Sequence, residues 1–98
     1  MRIVTYKRIR EFSEKHANAQ NPLHFWYHTA KSKKWNSLND IRSDFNSVDY
    51  VGNHRFVFNI KGNTYRLVAI ISFNAQKIYI RFIGTHAEYD KIKDIKTI

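Results

Sequence analysis

The chain has 98 residues, 43% of them apolar and 15% aromatic, and its 17 Lys and Arg outweigh 8 Asp and Glu to give a formal charge of +9. That length suits one hydrophobic core and a single domain over residues 1–98; the absence of cysteine excludes disulfides, thiol chemistry and thiolate metal sites. No apolar run approaches the roughly 18 to 20 residues of a membrane-spanning helix, and the N-terminus lacks a signal peptide's apolar stretch, so the expected setting is a reducing cytoplasm with no membrane partner.

In chain order, Arg2 to Val4 reads as a short edge strand leading to Thr5 as a helix N-cap. From Tyr6 to Lys15, Ile9 and Phe12 point one way and Arg8, Glu11 and Lys15 another, the pattern of an amphipathic helix. A second helix follows, with Asn18 or Asn21 as its cap, Pro22 in its first turn, and Leu23, Trp26, Tyr27 and Ala30 as its apolar stripe before the basic end "KSKK". In "SLNDIRSDF", Ser37 and Asp40 form a variant of the capping box, and Leu38, Ile41 and Phe45 recur at helical spacing. "NSVDYVGN" reads as a polar turn.

After it the period changes from 3.6 to 2. "HRFVFNI", "TYRLVAIISF" and "KIYIRFI" read as three strands of an antiparallel meander, joined through "KGN" and "NAQ". The continuous apolar run "LVAII" predicts a central strand covered on both sides for part of its length. The order of elements predicts an α+β fold, with N-terminal helices packed on a small, mainly antiparallel sheet and a short C-terminal helix.

Charge is distributed unevenly, since no carboxylate occurs from Tyr50 to Ala87, where Arg55, Lys61, Arg66, Lys77, Arg81, His54 and His86 all fall. Alternation sets Arg55, Asn59 and Lys61 opposite Phe56, Phe58 and Ile60, sets Arg66 opposite Tyr65, Leu67 and Ala69, and sets Tyr79 and Arg81 opposite Ile78, Ile80 and Phe82. If helices cover the apolar face, the cations gather on the other, where phosphate is a fitting counterion. The stretch "GTHAEYD" carries a second capping box in Thr85 and Glu88, with His86, Tyr89 and Asp90 one turn apart on the helix it starts. Glycine-rich phosphate loops and convergent carboxylates for a two-metal nuclease are absent, and "HAEYD" is not a zinc pattern, so neither a metal nor a cofactor is expected.

Taken together, "WNSLNDIRSDF", "NHRFVFNIKGNTYRLVAII" and "KIYIRFIGTHAEYDKI" resemble the HigB family of bacterial type II toxins, within the RelE-like superfamily. The resemblance covers nearly the whole chain. It implies an endoribonuclease, an mRNA interferase that cuts mRNA, commonly on the translating ribosome, and that is paired with a HigA-type antitoxin carrying a helix-turn-helix domain. Operator DNA would then be met only through the antitoxin. Arg66 matches a "YRLV" arginine that contacts substrate phosphate in such toxins. His86 follows "GT" where RelE carries arginine, Tyr89 lies about one turn before RelE's C-terminal tyrosine, and Arg55, Asn59 and Lys61 are partial counterparts of its basic strand residues.

The expected chemistry is attack by the RNA's own 2′-hydroxyl, which requires a base, an acid and cations around the phosphorane. Arg66 and Arg81 are the candidates for phosphate charge with Lys61 assisting, His86 for acid or base, and Tyr89 for stacking or proton transfer; Arg55, Asn59, Asn63, Tyr79 and Lys77 are candidate RNA contacts. The competing expectation is a basic RNA- or ribosome-binding module that represses translation without cleaving, and it differs only in the chemistry of His86 and Tyr89.

Overall fold

The alternating second half of the chain forms four consecutive antiparallel strands in the computed structural model, which describes residues 1–98: β2 (Asp49–Gly52), β3 (Arg55–Ile60), β4 (Tyr65–Ser72) and β5 (Lys77–Thr85). A fifth strand, β1 (Arg2–Val4), pairs in parallel with the start of β5, giving the order β1-β5-β4-β3-β2. The stretch read as a polar turn keeps a turn at Asn46-Ser47 but then runs as the edge strand β2, which a hairpin turn of two residues, Asn53-His54, joins to β3. Both residues sit at positive φ, 48° and 63°, the pairing that a two-residue hairpin turn with right-handed strand twist demands.

Three helices, α1 (Tyr6–Lys15), α2 (Gln20–Ser32) and α3 (Leu38–Asp44), cover one face of the sheet, and the short α4 (His86–Asp90) follows β5. Ser37 Oγ accepts the Asp40 amide at 3.3 Å, as the sequence predicts, while Asp40 Oδ2 reaches back to the Asn36 amide at 2.9 Å. Two other caps differ from expectation. Thr5 precedes α1 but does not cap it: its hydroxyl donates to the Ile80 carbonyl and accepts the Ile80 amide, both at 3.1 Å, fastening the helix start to β5. Neither Asn18 nor Asn21 caps α2, which grows out of a 3-10 turn at Ala17–Ala19; Asn18 instead accepts the Tyr65 hydroxyl. In both cases a tertiary hydrogen bond takes up the side chain that the local cap would have used.

The core lies between this helical layer and the inward residues of the strands. Ile9, Leu23, Trp26, Ala30 and Ile41 are fully buried against Phe56, Phe58, Leu67, Ala69, Ile71, Ile78 and Ile80. Phe58 sits among Trp26, Phe45 and Trp35, at centroid distances of 5.3, 5.6 and 6.4 Å. No helix is long and apolar enough to cross a membrane.

One irregularity in β5 determines what the opposite face presents. Val68 pairs with Phe82 and Ala69 with Ile80, so Arg81 is an extra, bulged residue. An added residue reverses the alternation beyond it. Ile80 and Ile83 both pack toward the helices, and Phe82, expected beside Ile78 and Ile80, stands on the outer face.

That outer face is not a free polar surface along its whole length. Val57 and Val68 are buried there at 3% and 0% exposure, apart from the main core. The cover is the segment after α4, which folds back across the sheet: Asn53 Nδ2 donates to the Lys96 carbonyl at 2.9 Å and Arg55 Nη2 to the Ile98 carbonyl at 2.7 Å. Ile92, Ile95 and Ile98 are half-buried. This explains the two-sided burial of "LVAII" on β4, the middle strand.

Candidate active site

The pairing registers bring Asn59, Arg66 and Gly84 side by side across β3, β4 and β5. Just before Arg66 the chain turns through Lys61 and Gly62, both at positive φ (53° and 61°), and the Thr64 amide closes the turn on the Lys61 carbonyl at 3.1 Å. This turn places Asn63 against the arginine. Arg66 Nη2 donates to Asn63 Oδ1 at 2.5 Å and Nη1 to the Asn63 carbonyl at 3.1 Å, and its guanidinium carbon stands 5.8 Å from the Tyr89 ring centre. The lysine–carboxylate ion pairs of the chain are Lys7–Glu11 and Lys33–Asp44, and no carboxylate pairs with Arg66, so Arg66 is oriented without being neutralised. A guanidinium held this way retains donors for an incoming anion.

The other half of the site is α4. Thr85 Oγ1 accepts the Glu88 amide at 3.1 Å and Glu88 Oε1 accepts the Thr85 amide at 2.8 Å, the expected capping box. The second of these bonds stabilises the ionised carboxyl and is the main reason that the Glu88 pKa lies below its ordinary value. The His86 amide donates to the Thr64 carbonyl at 3.2 Å, tying the helix start to the turn that carries Asn63. His86 Nδ1 lies 2.8 Å from Asp90 Oδ2. A carboxylate only accepts, so Nδ1 carries the hydrogen and Nε2 faces outward to take or give a proton. Burial raises the Tyr89 phenol above its ordinary pKa, with Arg66 opposing the shift and Asp49 and Asp90 adding to it; the phenol stays protonated at neutral pH and is an acid or hydrogen-bond donor there.

Phe82 supports this arrangement from below, its ring 6.4 Å from that of Tyr89. Gly84 makes room for it: a Cβ there would overlap Phe82 Cζ and lie 3.1 Å from Glu88 Oε1. Gly84→Ala should therefore displace the ring that backs Tyr89. We expect about 1 to 3 kcal/mol lower unfolding free energy together with a displaced Tyr89 ring. Denaturant melts beside the aromatic NMR shifts of Tyr89 check this, and unmoved Tyr89 signals would show that Phe82 does not position it.

Among the residues singled out from sequence, Arg66, Asn63 and Tyr89 are in contact, Asn59 shares their row, and His86 stands on the same short helix as Tyr89. Others are placed apart. Lys61 lies in the turn instead of on the strand face, because the strand ends at Ile60. Arg81 is exposed at the bulge, and Arg55 is taken up by the Asn53 and Ile98 carbonyls. Tyr79 pairs with Ile70 and Lys77 with Ser72. They lie roughly 13 and 20 Å along the sheet from Arg66, at about 3.3 Å per residue. No group of three or more His, Asp or Glu converges as a metal site. Sequence reading missed Asp90 as the histidine's partner, although the spacing of four was visible. It also missed Phe82 and Gly84, whose roles depend on the bulge.

Helices on one face of a mainly antiparallel sheet, with an unneutralised arginine, a tyrosine and a histidine–aspartate pair at one end of the other, define a small α+β domain of RelE-like architecture. A family model described as HigB_toxin, the RelE-like toxic component of a toxin-antitoxin system, matches residues 19–92. The mRNA interferase toxin HigB of Escherichia coli strain K12 is 33% identical over 93 residues, covering 92% of this chain and 88% of that protein. The mRNA interferase HigB of Shigella flexneri matches with the same figures. The mRNA interferase HigB of Escherichia coli O6:H1 is 29% identical over 94 residues, 94% of this chain and 91% of its own. The chain belongs to the HigB toxin family.

Proposed function

We propose that this toxin is an endoribonuclease, an mRNA interferase, which cleaves by attack of the RNA's own 2′-hydroxyl on the adjacent phosphorus. The observation that carries the reading is the Arg66 guanidinium, fixed by Asn63 and Tyr89 with no carboxylate bound to it, beside a helix that carries a histidine–aspartate pair. In this reading the 2′ proton passes to a base, the 2′ oxygen bonds to phosphorus, and the bond from phosphorus to the 5′ oxygen breaks with its electron pair on that oxygen, which is protonated. The products are a 2′,3′-cyclic phosphate and a 5′-hydroxyl.

Arg66 meets the negative charge that builds on the non-bridging oxygens, where a preoriented donor is worth most. His86 Nε2 is the proton acceptor, and the protonated Tyr89 phenol is the donor on the leaving side, its ring also offering a face for a base. Exposed Arg81 and Lys61 add longer-range positive potential that is weakened by salt. The charge is met by side chains, so the reaction is read as metal-independent.

The partners in this reading are mRNA, the translating ribosome and a HigA-type helix-turn-helix antitoxin, with operator DNA reached only through the antitoxin, all in the cytoplasm. A ribosome that positions the message would supply several kcal/mol of the barrier by orientation, at about 7 to 11 kcal/mol for a well-aligned pair, so the free protein should cut RNA slowly. Primer extension after induction tests the reading. New 5′ ends within codons, indifferent to chelator and lost in an Arg66→Ala, His86→Ala double variant, are expected. Unchanged transcripts with arrested growth would instead identify a non-catalytic RNA- or ribosome-binding module.

A further inference from the structure

The sheet face that bears Arg66 continues beyond the segment covering Val57 and Val68, and its far end is also cationic. Ile3 on β1 and Ile78 on β5 are paired and pack against the helical core, so strand alternation turns Arg2, Lys77 and Tyr79 to the other face. Arg2 pairs with Lys77 across the parallel ladder, a like-charged neighbour pair that costs stability. Neither side chain takes part in an ion pair, and β1, β4 and β5 contain no Asp or Glu. Tyr79 follows two residues after Lys77, half-buried, with its hydroxyl unbonded within the chain. An unneutralised cation pair beside an aromatic ring is the arrangement that tracks a sugar-phosphate backbone and stacks a base.

We propose that Arg2, Lys77 and Tyr79 form a second subsite for single-stranded RNA, which holds nucleotides flanking the cleaved bond. It rests on the reading of the protein as an RNA-cleaving toxin and adds a contact separate from the cleavage machinery. At roughly 13 to 20 Å from Arg66, by the strand rise of about 3.3 Å per residue, no single phosphate reaches both places. Only a longer strand can, and its occupancy of the first site raises its effective concentration at the second. The bound phosphates would relieve the repulsion between Arg2 and Lys77, so stability is sacrificed here for binding.

The test uses the full chain with 2′-O-methyl single-stranded oligonucleotides, which lack the attacking hydroxyl, at lengths of three and twelve nucleotides. For Arg2→Ala, Lys77→Ala, the twelve-nucleotide strand should bind more weakly with a salt slope about 1.4 shallower, at roughly 0.7 per lost phosphate contact. The three-nucleotide strand should bind as before. Tyr79→Ala should weaken the longer strand by about 5-fold or more, the loss of one stacked base. Lys77→Ala should melt at the same temperature or higher, whereas a structural role for the lysine would lower it. Equal losses at both lengths, or no loss at either, overturn the subsite. If Arg66→Ala alone weakens the longer strand, the subsite fails and the RNA-cleaving reading stands; if the unaltered chain binds neither strand, that reading fails as well.

Discussion

Arg66→Ala should lower mRNA cleavage by on the order of 100- to 1,000-fold, the usual effect of losing a preoriented group that stabilises transition-state charge. The same change should alter unfolding free energy by less than about 1 kcal/mol, because the bonds that Arg66 makes lie near the surface and its removal strands no buried charge. Asn63 and Tyr89 each lose a partner that water can replace. Arg66→Lys should recover only part of the activity. A lysine supplies the charge but lacks the fork that bonds Asn63 and phosphate at once, and it stacks less well on Tyr89. Single-turnover cleavage beside denaturant melts separates the two effects. Full activity in the alanine variant would remove Arg66 from the chemistry.

The largest effect on stability is expected at Trp26, which is fully buried with its ring edge-on to Phe58 at 5.3 Å. Trp26→Ala should cost about 3 to 5 kcal/mol through lost burial and the cavity left behind. Domains of this size have about 5 to 15 kcal/mol in total, so the variant should be largely unfolded well below the parent's melting temperature. Trp26→Phe is the informative companion. The indole Nε1 is buried without a hydrogen-bond partner, and the smaller ring removes that unsatisfied donor while keeping most of the apolar contact. Its cost should fall below about 1.5 kcal/mol. Trp35 behaves differently because its Nε1 donates to Asp44 Oδ2 at 2.9 Å, so Trp35→Phe would leave that carboxylate short of a donor. Equilibrium unfolding of the three variants checks the order, and equal losses in Trp26→Phe and Trp26→Ala would contradict the reading of the orphaned N–H.

What could be read from sequence depends on how far along the chain each interaction acts. The N-cap at Ser37 and the capping box at Thr85, the apolar stripes of α1 and α2 and the alternation of β3 and β4 follow from neighbours within four residues. Those were legible, as was the acid-free stretch that frames Arg66. The resemblance to a toxin family was legible for the same reason, since it rests on contiguous motifs. Where a local rule competed with a distant partner, the distant partner prevailed. Thr5 binds Ile80 across 75 residues instead of capping α1, and Asn18 binds Tyr65 instead of capping α2.

The sequence alone thus determined the helices, the strands other than β2, most of their inward faces, the positive balance of the sheet and the identity of the family. Only the tertiary structure decided which functional side chains meet. The register beside β3 and β5 brings Arg66 to Asn59 and Gly84, and the bulge at Arg81 turns Phe82 outward beneath Tyr89. The returning C-terminal segment engages Arg55 and divides the outer face into two cationic ends. Register, bulges and chain reversal depend on contacts between residues far apart in sequence, where one inserted residue reverses every later side chain, and no local pattern encodes them.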